Sequence, residues 1–399
     1  MRWEYKTLDE LGSISRGRSK HRPRNDENLF GGKFPFVQTA DVKKANLYLT
    51  EYEGTYNEKG LEQSKLWKAG TLCITIAANI ADTAILGIDA CFPDSIMGFI
   101  PYDGIANVKF VKYAFDMLQR DCKQISQGTA QDNLSWKKLS TIKFPAPDIE
   151  VQNKIVNYLS AYDDLIENNK KQIKLLEEAA ERLYREWFVD LHFPGYENTE
   201  IIDGEPEGWK KQKISEFGEI ITGKTPSTTK EQYYGGNIPF VKIPDMHNCV
   251  YPIVTESTLT TEGANTQKNK FIPKNGIMVS CIATVGLVNI AIEPCQTNQQ
   301  INSIVLHDER DLYYTYFTMK RLKALLEGVG SNGATMTNVN KTKFGNLEVL
   351  YPSNNLRKDY FDYCKPIFEK IYALSVGVHK LSQVRDGLLP KLMSGEIEV

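Results

Sequence analysis

The sequence predicts an α+β fold built twice. Two similar α+β domains are joined by two long antiparallel coiled-coil helices, an internal duplication about a pseudo-twofold axis. Three observations predict this. The stretch "GTAQDNLSWKKL" from Gly128 returns as "GATMTNVNKTKF" from Gly333. Other segments return in the same order, at offsets between 204 and 207 residues. Two helical seams repeat 205 residues apart, position over position. A chain of 399 residues is also too long for one ordinary core. A period this long marks a duplicated domain and not a solenoid, whose repeats run about 20–50 residues.

The first domain is expected over residues 1–147 and the second over 209–353. "TLDELGSISRG" parallels "KISEFGEIITG", with Gly12 over Gly218 and Gly17 over Gly223. "GGKFPFVQTADV" parallels "GGNIPFVKIPDM", with Pro35 over Pro239 and Asp41 over Asp245. "KAGTLCITIA" parallels "KNGIMVSCIA", with Gly70 over Gly276, and Cys91 falls over Cys295. Alternating apolar residues with Gly/Pro punctuation mark strands, turns and short helices. The glycines are read as turn residues needing positive φ. Asn133 and Asn338, each before an apolar residue at matching positions, are read as structural caps.

A central helix is expected over 148–190. Ile155, Leu159, Tyr162, Ile166, Asn169, Ile173, Leu176, Ala180, Leu183 and Trp187 follow an alternating 4-3 spacing, which lays one stripe along a helix. Asn169, polar in that seam, is of the kind that fixes register. Residues 191–208 read as a linker. Within 354–399 a second long helix carries Ile367, Ile371, Leu374, Val378, Leu381, Arg385, Leu388 and Leu392. Pro366 suits a first helical turn, and Ser375 and Gly377 weaken the helix enough to require a partner. The two stripes are expected to pack on each other. The apolar ends "YREWF" and "LLPKLMSGEIEV" read either as core or as docking sites for another subunit.

Composition narrows the function. Hydrophobic and charged residues make up 41% and 25%, ordinary for a globular chain. A net charge of −2 leaves no global attraction for nucleic acid, so any such contact must come from local basic patches. The seven cysteines and five histidines show no ligand spacing, so no disulfide framework, metal site or cofactor is expected and a cytoplasmic location fits. The most apolar run, "GTLCITIAANIADTAILG", is broken by Asn79 and Asp82, and neither a membrane span nor an export signal is visible.

Two diverged domains on rigid helices suit a rod carrying two different short sites. Double-stranded DNA is such a rod, and half-site spacing then becomes a property of the protein. The local chemistry agrees. "SRGRSKHRPRN" holds Arg16, Arg18, Lys20, Arg22 and Arg24 in a loop, where guanidinium groups can grip phosphates or read guanine edges. The matching loop of the second domain holds Lys224, Thr225 and Lys230, and Lys242 follows "IPFV". Thr129 and Gln131 in one half, and Asn332, Thr335, Thr337 and Asn340 in the other, join Gln299 and Gln300 of "QTNQQIN" as candidate DNA contacts. Asn and Gln read adenine by paired bonds, or else they brace turns. Both readings stand.

In this duplicated order the chain resembles the specificity subunit of a type I restriction–modification system. The resemblance covers essentially the whole sequence. It rests on the "G-T-x-x-x-N-L…I-x-F-P-x-P" block, the "IPF(V)…D" element, "LYREWFVD" and "RDGLLPKLMSGEI". It implies that each domain is a target recognition domain reading half of a bipartite, asymmetric DNA site. It implies that the paired helices set the spacing, and that Ile166, Asn169, Ile173, Leu176, Leu183, Trp187, Ile371, Leu374, Val378, Leu381, Leu388 and Leu392 serve as spacer and partner-binding positions. The implied partners are two methyltransferase subunits, with restriction (motor) subunits in the full complex.

Three enzyme-like fragments are declined, and no catalytic residue is assigned. "GVGSNG" spells a dinucleotide fingerprint but follows a helical segment instead of a strand. "EPCQ" at Cys295 resembles a cytosine methyltransferase nucleophile, without a cofactor loop to serve it. Asp94 with Asp121 and Lys123 imitates a metal-dependent nuclease, but the second domain places Asn298 opposite Asp94. Two rival readings remain: a coiled-coil scaffold that does not bind DNA, and a stand-alone nuclease.

Overall fold

The computed structural model describes residues 3–76, 82–125, 139–330 and 338–399. The chain divides into two compact units, Met1–Ile166 with Lys380–Val399, and Glu167–His379. Two helices of 40 residues, Ile149–Phe188 and Asn354–Met393, each give one stretch to each unit.

In the first unit a Thr7–Glu10 capping box opens the short helix Leu8–Leu11. Capping satisfies amide groups that the first helical turn cannot. Strand Gly12–Arg16 follows and lies antiparallel to Ile96–Pro101, which pairs in turn with Leu72–Thr75, Thr83–Leu86 and, at the far edge, Tyr48–Leu49. A second sheet orders Gly54–Tyr56, Phe30–Phe36, Ala90–Cys91 and Leu66–Trp67. Strands Leu72–Thr75 and Thr83–Leu86 are buried at every residue, because both faces of their sheet are covered. Leu72, Ile74 and Phe99 meet Phe110 and Phe115 of helix Val108–Ile125, together with Ile155, Leu159, Leu389 and Leu392 of the long helices. Val37, Trp67, Cys73, Phe92 and Ile96 fill the other side.

The second unit repeats this order, with no named strand among its described residues matching the edge strands Tyr48–Leu49 and Leu66–Trp67. Its sheets run Gly218–Thr222, Ile301–Leu306, Ile277–Ser280, Val288–Ile290, and Ser257–Leu259, Tyr234–Val241, Gln296–Thr297. In each unit a short antiparallel pair brings the domain's two ends together, Glu4–Lys6 with Phe144–Ala146 and Lys210–Lys213 with Glu348–Tyr351. The aspartate of the "IPF(V)…D" element is explained in both copies. Asp41 accepts from the Gln38 amide and Asp245 from the Lys242 amide, each at 2.8 Å, so each caps a short helix.

Backbone pairing corrects the register by one residue. The Gly70 amide donates to Leu86 O and the Asn275 amide to Ala291 O, both at 2.8 Å. Gly70 and Asn275 share a left-handed backbone, φ 89° and 66°. Asn275 is therefore the counterpart of Gly70, not Gly276, because glycine and asparagine both enter that region. Likewise Phe36 pairs with Cys91 and Phe240 with Gln296, so Cys91 lies over Gln296 and not Cys295. The turn reading also fails for Gly12 and Gly218, whose backbones are extended. A Cβ there would stand 2.4 Å from Ile100 O and 2.1 Å from Val305 O, so close strand approach demands the glycine.

The long helices run antiparallel within each unit. In the second, the Tyr360 hydroxyl donates to Ala180 O, while Gly377 lies beside Asn169. In the first, Arg385 meets Asp163 and Lys154 reaches Val399 O. Every seam position named above is buried or half-buried. Pro366 begins no helix: the helix starts at Asn354, and Pro366 sits exposed in its interior. The earlier turns bury Leu356, Tyr360, Cys364 and Phe368 against the aromatic core of Tyr184, Phe188, Tyr314 and Phe317.

Candidate nucleic-acid interface

The basic loop of the first unit is a built object. Arg18 is mounted at its backbone: its amide donates to Phe92 O at 3.0 Å, and its carbonyl accepts from the Ser64 hydroxyl at 2.8 Å. Gln63 Oε1 accepts from the amides of Lys20 and His21 at 2.7 and 3.0 Å. Asp26 caps the turn Glu27–Leu29 and bonds His21 at 2.7 Å. The Asn28 amide, and after it the His21 ring, hold the Asp26 carboxyl below the usual range.

The five basic residues then sort into two groups. Arg22 donates to the carbonyls of Ser19 and His21, both at 2.7 Å. Arg24 pairs with Asp94 at 2.8 Å. Arg16, Arg18 and Lys20 are exposed and meet no acid among the described residues. A charge already matched inside the protein has less to offer a phosphate than a free one, so the second group is the better placed.

The second unit rebuilds the same mount with other residues. The Lys224 amide donates to Thr297 O at 2.9 Å, and its carbonyl accepts from Gln267 Nε2 at 2.6 Å. Lys224 thus stands where Arg18 stands, exposed and without an acidic partner among the described residues. Gln299 Oε1 accepts from the Thr225 hydroxyl at 2.6 Å. In the corrected register Gln299, not Asn298, lies opposite Asp94, and from that position each side chain ties down its loop.

The remaining candidates divide similarly. Lys230 bonds the Tyr233 hydroxyl at 3.1 Å, and Lys242 pairs with Glu256 at 2.9 Å. Gln300 accepts from Asn298 at 2.9 Å, while Gln296 is wholly buried against Ala264 and Gln267. Asn302, also inside, donates to Val339 O. Within "QTNQQIN" only Gln299 is exposed. Asn340 is a cap: its side chain accepts from the Lys343 amide at 2.9 Å and opens helix Lys341–Gly345. Asn338, read as the cap, instead forms a backbone bridge to Ile282. Thr129, Gln131, Asn133, Asn332, Thr335 and Thr337 lie outside the described residues. Gln63, Ser64 and Gln267, the braces under the loops, carried no signal in the sequence, because a lone polar residue after a short helix is too common to stand out.

The spacer positions face inward. Ile166, Trp187, Ile371, Leu374 and Leu392 are buried, while Asn169, Ile173, Leu176, Leu183, Val378, Leu381 and Leu388 are half-buried. Outside the seam, Tyr158, Leu165, Leu175, Tyr363 and Tyr372 stay exposed on the same helices. Of the enzyme-like fragments, "GVGSNG" runs into residues outside the described ones. Burial pushes the Cys295 thiol up to about 12, far from a reactive thiolate. Asp94 is engaged by Arg24, and Lys123 lies outside the described side chains.

The comparisons with known proteins agree with this architecture. The family model described as "Type I restriction modification DNA specificity domain" matches residues 1–178 and 206–371. The chain is 29% identical to the type I restriction enzyme HindI specificity subunit of Haemophilus influenzae, covering 97% of this chain and 98% of that one. It is 25% identical to the MjaIX specificity subunit of Methanocaldococcus jannaschii, over 100% and 94% of the two chains. In fold it is similar to the crystal structure of a type I restriction–modification S subunit from M. genitalium, with TM-score 0.58, 16% identity, and 98% and 96% coverage. No helix among the described residues is long and apolar enough to cross a membrane. With two matched domains, two antiparallel 40-residue helices and full-length relatives, the chain belongs to the family of type I restriction–modification specificity subunits, whose role is DNA target recognition.

Proposed function

We propose that this chain reads a bipartite, asymmetric DNA site, one half-site per domain, without performing chemistry itself. The carrying observation is the duplicated mount, which presents Arg18 in one unit and Lys224 in the other from the same pair of backbone bonds. Arg16, Arg18, Lys20 and Lys224 grip phosphates, and Gln299 with the polar residues near Gly128 and Gly333 reads base edges. The helices set the spacing between the half-sites and, with the domain edges, dock two methyltransferase subunits. Restriction subunits join the full complex, whose place is the cytoplasm with its DNA.

Selection from a random duplex library, with the partner methyltransferase present, tests this reading. Two short words at one fixed spacing, bound without cleavage by this chain, are expected; a single word or none overturns it. A heptad inserted after Ile166 and another after His379 lengthens both helices by roughly 10 Å, about three base pairs. The words should persist while their spacing grows.

A further inference from the structure

At one duplicated position near the start of each long helix, a side chain reaches back into its domain. In the first unit this is Gln152, 1% exposed. Its Nε2 donates to Ile105 O at 3.0 Å and Pro147 O at 2.8 Å, and its Oε1 accepts from the Asn107 amide at 2.9 Å. One amide therefore ties the helix to the loop that leads into helix Val108–Ile125. The neighbouring Asn153 accepts a further bond from Asn107 Nδ2 at 2.8 Å.

The second unit places Arg357 there, 205 residues on and 3% exposed. Its guanidinium bonds Asp311 and Asn354 and lies over the Tyr351 ring at 4.2 Å. The Tyr351 hydroxyl donates to the other Asp311 oxygen at 2.7 Å. Asp311 sits just ahead of helix Leu312–Arg321, the counterpart of Ala106 ahead of Val108–Ile125. The chemistry has changed completely, from a neutral amide holding backbone to a buried ion pair, yet the same two elements are joined.

Stability alone does not call for the second solution, since a well-packed apolar side chain commonly equals or exceeds a buried ion pair. Hydrogen-bonded polar groups of either kind accept only one geometry. Arg357 Nε has no partner among the described residues, so the site is held for direction at some cost. We infer that Gln152 and Arg357 are positioning residues that fix the angle at which each recognition domain is carried on the helices, and so limit which half-site spacings the protein accepts. This rests on the reading that the helices set that spacing.

The test compares wild type with Gln152→Met and Arg357→Lys in the methyltransferase complex, using duplexes whose spacer is correct, one base pair longer or one shorter. Methionine keeps the length of glutamine without its bonds, and lysine keeps the charge without the fork. The half-site words should be unchanged, while preference for the correct spacer falls at least tenfold. Unchanged words with unchanged spacer preference overturn the inference, as does equal weakening on all three spacers. Gln152→Glu keeps an acceptor for the Asn107 amide but turns an oxygen onto the Ile105 and Pro147 carbonyls. It should lose the spacer preference at least as fully as Gln152→Met, and wild-type preference in this variant would also overturn the inference. If one variant does not fold, the other, in its own unit, decides between these outcomes alone. Failure of the parent reading looks different: the wild type would show no fixed spacing, or the heptad insertions would leave it unaltered.

Discussion

The two units share a strand order but differ in how polar their interiors are where domain meets helix. In the first, Asp163 pairs with Arg385 at 2.6 Å and takes the Tyr113 hydroxyl, while Lys112 pairs with Asp116 at 2.6 Å. These line a cleft of about 200 Å³. In the second, Phe368 stands where Asp163 does and Ala180 where Arg385 does, and the space is filled by rings such as Phe317 and Tyr184, 5.7 Å apart. Every charge around the cleft already has a partner, so the polarity serves pairing inside the unit. A duplicated fold keeps its hydrogen-bonded frame while the filling drifts, because the frame is fixed by backbone geometry and the filling only by volume and satisfied polarity.

The strongest way to break this comparison is at the helix starts. Arg357→Met leaves Asp311 buried without its counter-charge and should destabilise the second unit by about 3–5 kcal/mol. Gln152→Met strands backbone groups only and should cost the first unit about 1–3 kcal/mol. Hydrogen exchange under mild denaturant, read separately in each unit, checks both values. Equal losses would mean that the two clamps are chemically equivalent after all.

Gly218→Ala ranks next. Its Cβ collides with the Val305 carbonyl, and overpacking of this kind costs about 1–3 kcal/mol, read as a lower thermal midpoint of the second unit. Gly12→Ala should lower the first unit equally.

A third comparison lies within the basic loop. Arg18→Ala and Lys224→Ala should each reduce the slope of log affinity against log salt by about one, alike on cognate and mutated duplexes. Arg24→Ala should change that slope less, since Asp94 already neutralises Arg24. Equal slopes for Arg18→Ala and Arg24→Ala would erase the division between free and engaged arginines.

The smallest effect is expected from Gly70→Asn. It copies Asn275, which holds the same left-handed position in the other repeat, and nothing lies within 4 Å of the added Cβ. A change within about 1 kcal/mol is expected by denaturation; a larger loss would place the register elsewhere.

Much of the architecture was legible because duplication lets a sequence act as its own reference. The seams from Ile155 to Trp187 and from Ile367 to Leu392 stood out by period, and burial follows them. What misled was letter identity. Gly276 and Cys295 match their neighbours in name, yet the backbone pairs Asn275 and Gln296 with Gly70 and Cys91. At the interface, residue type suggested basic loops but could not show which arginine was engaged. That depends on Asp94, 70 positions from Arg24 in the chain. The capping bond that Asn340 makes to the Lys343 amide leaves no mark in the sequence beyond the residue itself.

The first unit's membership has a consequence for biosynthesis. It takes in Lys380–Val399, with Leu389, Leu392 and Met393 in its core and Gly395 against the Trp3 ring. The second unit, Glu167–His379, is compact without any residue after His379. On the ribosome, where chains grow at about 5–20 residues per second, the domain translated first must wait for Lys380–Val399 to emerge before its core can close. The domain translated second can close before it. A message truncated just after His379 would therefore damage the N-terminal half of the molecule, and a nascent-chain protease assay should find residues 3–76 still open to cleavage when the second unit is already resistant.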